Sequence, residues 1–380
     1  MQTIVYVVPS LILSGPINVV AGIVRHLDRR RFRPVVVELS VHPYVGRHCH
    51  ALFQEMGAEV VRLGLSKWTL QLCTARVARR LQERFGPDVV YHAHGYYPTL
   101  LLSRMSAPWR LTTIHNICEE DFLLQKGRWM GRYMVSRYRR ALPRLPLCVA
   151  ICRTMQQHYG QSGPGRFCTV YNGVEAASPA QPNVRLAVRR RLGIAAEARV
   201  LLCPAAFTEG KNQRLIVEEL RRSGRRDFVV LFAGQGAAEP LCRRLSEGDP
   251  RFRFLGYQNR MDDFWQAADY MVSASLSEGL PMAVLEAVVR GLPCLLSDIP
   301  PHREIAERAF AGSLPCFDHR ESGSLLRAFH ALLDRRFDTG TIRQAACRFY
   351  TAGVMARGYE AAYEALAAGR DCAARTPEYR

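Results

Sequence analysis

The sequence predicts an α/β protein of two doubly wound domains, each a parallel sheet with helices on both faces, facing a common cleft. Three observations carry this expectation. The chain has 380 residues, too many for one ordinary core and enough for two domains of about 180 residues each. Short apolar runs alternate with stretches of helical spacing, the pattern of βαβ units. That series is run through twice, with one break rich in Ala, Pro and Ser at Glu175–Asn183.

In the first series, Thr3–Pro9 reads as a buried strand, and Ile17, Val20, Ile23, Val24 and Leu27 follow at helical spacing. Arg33–Ser40, Asp88–Gly95, Arg110–Asn116, Pro146–Cys152 and Cys168–Gly173 are the further strand candidates. After the break come Arg199–Ala206, Asp227–Gly234, Arg251–Gly256, Tyr270–Ser275 and Pro293–Asp298. The expected division is 1–177 for the first domain, 178–196 for a linker and 197–350 for the second domain. Residues 351–380 are expected to form a helical tail that crosses back to brace the first domain. Sheets of this kind bind ligands beyond the carboxyl ends of their strands.

With 48% hydrophobic and 23% charged residues, the composition is that of a globular protein rather than a disordered or fibrous one. The first apolar stretch, Ile4 to Leu13, is broken by Pro9 and Ser10 and has no basic segment before it, so it reads neither as a signal peptide nor as a membrane span. A cytoplasmic location is the expectation. Twelve cysteines are scattered without a CxxC pair, which favours buried thiols over disulfides or zinc. The net charge of +18 points to anionic partners. Only three of the 52 basic residues are lysines, at positions 67, 126 and 211.

The most specific stretch runs from Ser277 to Asp298. An apolar strand ends at Ser275, a loop carries Glu278, Gly279 and Leu280, and Pro281 takes a natural first helical position. Glu286 lies eight residues after Glu278. A helix start offers free amides to phosphate, and carboxylates flanking it can accept hydrogen bonds from sugar hydroxyls. In the first half, His92 and His94 alternate on one strand face. That pair lacks an evident carboxylate or cysteine partner, so no metal site is expected.

This stretch resembles the E-x7-E signature of family-4 glycosyltransferases, which have the GT-B fold of two Rossmann-like domains. Thr208–Leu220 is similar to that family's phosphate-binding lysine segment and Phe228–Gly236 to its next strand and turn. Phe254–Ser275 resembles the run into the donor site, and LILSGPINVVAGIVRHL the glycine loop and first helix. The resemblance implies that Glu286 binds ribose and Glu278 the transferred sugar. It places Gly279, Leu280 and Met282 around sugar and phosphate, with Gly256 and Tyr257 also on the donor side. Lys211 would contact the diphosphate, Gly15 would approach the donor phosphate and the acceptor, and His115 would stand near the sugar. His94 is expected on the acceptor side. The sequence departs from the family at Ala206, where an arginine usually stands, and at Ser14, where a second glycine is common.

The resemblance further implies a UDP-sugar or GDP-sugar donor, a saccharide or lipid-linked saccharide acceptor, retention of anomeric configuration, and no metal or other cofactor. No D-x-D motif is present to hold a divalent ion. Phe122–Leu145 interleaves basic residues with Trp129, Met130, Tyr133, Met134 and Tyr138, which suits contact with an anionic membrane or, equally, an ordinary domain helix. No nucleic-acid recognition motif is present. Two other readings share the domains: a sugar-nucleotide epimerase, and a non-catalytic nucleotide-sugar-binding protein.

Overall fold

The structure, a computed structural model, describes residues 1–40, 48–161, 166–177, 181–311, 314 and 316–370. It divides into two compact units, one of Met1–Glu175 with the chain from Thr351 onward, the other of Ala176–Tyr350.

Seven strands build the first unit: β1 (Gln2–Val8), β2 (Phe32–Glu38), β3 (Glu59–Arg62), β4 (Val90–His94), β5 (Arg110–Ile114), β6 (Leu147–Ala150) and β7 (Phe167–Thr169). Their order is β3-β2-β1-β4-β5-β6-β7, with every pairing parallel. The near-continuous Val and Ile runs of β1 and β2 are what a sheet covered on both faces requires. The helix Ala352–Ala367 packs along the helix Gly15–His26, the two sitting close enough that a Cβ on Gly22 would lie 2.9 Å from the Met355 methyl. Glu360 accepts the Asp28 amide at 2.7 Å, and Tyr359 and Tyr363 are fully buried against the sheet. Residues 371–380 of the expected tail, with Cys372, lie outside the described residues.

The second unit holds β8 (Arg199–Pro204), β9 (Phe228–Ala233), β10 (Phe252–Gly256), β11 (Tyr270–Ser273), β12 (Cys294–Ser297) and β13 (Cys316–Phe317), ordered β10-β9-β8-β11-β12-β13. Phe207, Phe228, Phe232 and Phe329 centre its core. Truncating such a ring to alanine would cost about 3–5 kcal/mol.

The expected fold class is present, with differences in detail. The stretch 178–196, read as a linker, carries the helix Pro182–Arg191. Its polar sequence hid a buried anchor: Arg189 pairs with Asp269 at 2.6 Å and donates to the carbonyls of Ala196, Ala198 and Ala267. Residues 178–180 of that stretch lie outside the described residues. Strands β3 and β13 went unexpected because four and two residues are too few for alternation to register. The eleven described cysteines are all free. Among the described residues no helix is long and apolar enough to cross a membrane.

Candidate active site

In each sheet the strand order reverses beside the first strand, between β1 and β4 and between β8 and β11. Lys211 and Glu278 follow β8 and β11 at one switch point and Gly15 follows β1 at the other, where doubly wound sheets bind ligands. His115 follows β5, and Gly256 and Tyr257 lie at the end of the edge strand β10.

In the second unit, the loop leaving β8 lies flat against the turn leaving β9. A Cβ on Gly234 would sit 2.0 Å from the Ala205 carbonyl oxygen, and one on Gly236 would sit 2.2 Å from that of Phe207. Only glycine permits this approach. The loop is thereby held while it turns through Glu209–Lys211 into the helix Gln213–Arg221. Gln213 donates to the Ala206 carbonyl at 2.9 Å, so position 206 contributes a buttressed backbone and no charge. The loop leaving β11 joins this turn through the Leu276 amide, which donates to the Gly210 carbonyl at 2.8 Å.

That junction brings Lys211 and Glu278 into an ion pair. Ser275 donates to the same Glu278 oxygen at 2.7 Å, and Ser297 in turn donates to the Ser275 carbonyl at 2.6 Å. Next to them is His302, which sequence reasoning missed. Its Nδ1–H donates to the Ser297 carbonyl at 2.9 Å, and its Nε2 is buried with no hydrogen-bond partner among the described residues. Burial pulls His302 down to about 4, with the Glu278 charge opposing and that of Lys211 adding. The imidazole is thus a neutral acceptor beside a cation–carboxylate pair.

The helix after Glu278 spans Met282–Val288, and Pro281 is its N-cap in extended conformation rather than its first residue. The Pro281 carbonyl receives the Val284 and Leu285 amides. Leu280 is buried and Met282 half-buried. Glu286 lies on this helix, where burial pushes its carboxyl up and the nearby Arg290 charge opposes the shift. Arg290 also lies over the Trp265 ring at 5.2 Å. Gly256 ends β10 with φ +69° and accepts the Gly234 amide at 2.8 Å, while Tyr257 beyond it is 46% exposed. Of the arginines near the expected phosphate site, Arg303 is engaged by Asp298.

In the first unit, Gly15 opens the helix Gly15–His26, and a Cβ added there would meet nothing within 4 Å. His115 follows β5 and makes a 2.9 Å hydrogen bond from Nε2 to Nδ1 of His94. Burial pulls His115 down to about 4 and holds His94 well below the usual histidine range. His94 itself is wholly buried, and its Nε2 has no hydrogen-bond partner among the described residues. His92 shares its strand face but is structural: Nδ1 meets the Tyr363 hydroxyl at 2.9 Å and Nε2 the Thr113 hydroxyl at 2.8 Å.

The basic aromatic segment lies on the helix Cys118–Ala141, which breaks at Gly127 with φ +73°. Beyond the break Trp129 is 84% exposed, with Met130 and Tyr133 about half exposed beside Arg128 and Arg132. The side chains of residues 124 and 125 lie outside the described residues. A separate cluster of candidate metal ligands, Glu38, His48 and His50, was missed. The H-x-H spacing at 48–50 and the carboxylate ending an apolar strand were its signals in the sequence.

The two doubly wound parallel sheets match those of GT-B glycosyltransferase structures. The family model for glycosyl transferases group 1 matches residues 198–335, and that for glycosyltransferase family 4 matches residues 14–178. The chain belongs to the family-4 type of glycosyltransferases. It is 29% identical over 262 residues to EpsF, a candidate glycosyltransferase of Bacillus subtilis (strain 168), covering 63% of this chain. It spans 64% of EpsF, less than two thirds of that protein's length. It is 22% identical over 317 residues to WclY of Escherichia coli, an O-antigen biosynthesis glycosyltransferase, covering 76% of this chain and 82% of WclY. The crystal structure of Anabaena HepE with UDP matches with a TM-score of 0.76 at 17% identity, over 97% of this chain and 100% of that one.

Proposed function

We propose that this protein transfers a hexose, with retention of anomeric configuration and without a metal ion, from a UDP-sugar or GDP-sugar to a saccharide or lipid-linked saccharide. Synthesis of a cell-surface polysaccharide or lipopolysaccharide is the role this reading gives it. The observation that carries the proposal is the Lys211–Glu278 pair at the β8/β11 switch point, with Glu286 eight residues on. Charge grows on the diphosphate as the glycosidic bond breaks, and Lys211 is the side chain that meets it. Glu278 then turns from Lys211 to the sugar hydroxyls, and Glu286 holds the ribose. Gly279, Leu280 and Met282 surround sugar and phosphate with backbone, and Gly256 and Tyr257 border the donor. Gly15 and the neutral His115 act on the phosphate, the sugar and the acceptor.

The transfer runs on one face of the sugar. The bond from the anomeric carbon to the β-phosphate oxygen breaks, the acceptor oxygen bonds to that carbon from the same side, and the acceptor proton passes to a diphosphate oxygen. The exposed Trp129, Met130 and Tyr133 among arginines support contact with the inner face of the cytoplasmic membrane, where a lipid-linked acceptor would reside.

The test is a proton NMR assay with a panel of nucleotide-sugars and lipid-linked or free oligosaccharide acceptors, in excess EDTA. An α-linked product from an α-linked donor is the expected result. An inverted product, or turnover restored only by manganese or magnesium, contradicts the proposal.

A further inference from the structure

Apart from the two switch-point loops, the first unit gathers a set of side chains that sugar transfer does not use. Glu38, the last residue of β2, is 0% exposed. One of its oxygens accepts the Leu11 amide at 2.8 Å, and the other lies 2.8 Å from His50 Nε2 and 3.3 Å from Arg62 Nε. His48 packs nearly parallel to His50, with ring centroids 5.3 Å apart and 22° between the planes. His48 Nδ1 is buried with no hydrogen-bond partner among the described residues. One ligand atom each from Glu38, His48 and His50 lies within 4.8 Å of the other two.

We infer that these three residues bind one divalent ion of the zinc type, as a structural site separate from the transfer chemistry. Two imidazoles and one carboxylate suit zinc and its transition-metal neighbours, whereas magnesium and calcium take oxygen ligands. Ligand atoms at about 2.1 Å from a tetrahedral ion stand about 3.4 Å apart. The Glu38–His50 contact therefore opens by roughly half an ångström when the ion enters. The unpartnered His48 nitrogen supplies the third ligand, and the fourth position is left to water. A buried carboxylate needs compensating charge. Arg62, whose side chain is 51% exposed, is free to turn outward once the ion provides that charge. The Leu11 amide fixes the carboxylate's other oxygen, the outer support a metal ligand needs. The Cys49 thiol points instead to the Leu11 carbonyl, at 3.3 Å.

The ion's effect follows from what the ligands are attached to. Cys49 donates its amide to the Leu11 carbonyl at 3.0 Å, and Ile12 bridges to His48, so residues 48–50 clasp the chain just before Gly15. Bound zinc would fasten the end of β2 and this segment to the start of the helix His50–Glu55. The hydrogen-bonded form keeps the same arrangement without the ion, so zinc raises stability by mass action and turnover in EDTA persists.

The test uses the full-length protein, stripped with chelator and dialysed against buffered zinc. Elemental analysis should give one zinc per chain, with a higher Tm than the stripped protein. Cobalt substitution should give the visible absorption of a four- or five-coordinate site. His48→Gln, at a partly exposed position, should weaken zinc binding at least tenfold while the stripped variant melts as the stripped wild type does. His48→Gln/His50→Gln should abolish binding. If that double variant does not fold, the single variant decides. No zinc held by the wild type at micromolar free zinc, or undiminished zinc in the His48 variant, would overturn the inference.

Discussion

The two switch points are built alike and furnished differently. Both are loops at the carboxyl end of a first strand where the sheet order reverses. In the second unit that place holds a cation–carboxylate pair backed by two serines and a neutral histidine. In the first unit that place opens onto an unobstructed glycine, and the histidines nearby, His94 ending β4 and His115 after β5, are kept uncharged by burial. One topology thus offers an electrostatic site in one unit and a neutral, sterically permissive one in the other. The loop residues, and not the sheet, decide which.

The largest effect that would sharpen this contrast comes from Lys211. If it is the cation that meets the leaving diphosphate, Lys211→Ala lowers kcat by about a hundredfold to a thousandfold, in line with the loss of one preorganised charge contact. Ala206→Arg, restoring a cation where the loop now has none, should recover part of that loss. Steady-state kinetics with saturating donor checks both, and a near-normal kcat in Lys211→Ala would move the charge contact elsewhere.

Gly15 should respond in the opposite fashion, through shape. Its added Cβ touches nothing in the protein, so Gly15→Ala should leave Tm unchanged. Turnover should fall by about a hundredfold if a ligand approaches that backbone. Equal activity in the alanine variant would leave the neutral switch point without a role in the reaction.

A smaller difference concerns acid. His92, His94 and His115 in the first unit, and only His302 among the described histidines shown to be shifted in the second, are held below the ordinary histidine range by burial. The unfolded chain therefore binds more protons than the folded one below the ordinary histidine value near 6.5, down to about 4 for His115 and His302, with His92 and His94 also shifted well downward. Stability is fully present above that window and falls as the pH drops through it, by up to about 1.4 kcal/mol per pH unit for each group. Hydrogen exchange followed from pH 7 to 4 should show the first unit losing protection more steeply than the second. Equal losses would erase this part of the contrast.

Much of this was legible beforehand, and what was not has physical reasons. The long apolar strands announced both sheets because burial on two faces leaves a continuous run. Glu278 and Glu286 stood out because strand, turn and helix framed them in one short stretch. The helix Pro182–Arg191 was missed because its anchor is an arginine, and a buried ion pair looks in sequence like a solvated charge. His302 and Ser297 escaped because their place depends on β12 lying beside β11. The structural role of His92 depended on Tyr363, from the helix Ala352–Ala367, reaching its Nδ1, a contact that no local pattern reveals.

The central claim is that the charged switch point of the second unit is where a nucleotide-sugar binds, and calorimetry on Glu286→Ala tests it most directly. Titrating a panel of UDP- and GDP-sugars into the wild type should identify one saturable donor. The folded variant should bind it more weakly by about 1–3 kcal/mol, the loss of one buried hydrogen bond to a charged acceptor. Unchanged affinity in a folded Glu286→Ala protein would contradict the account.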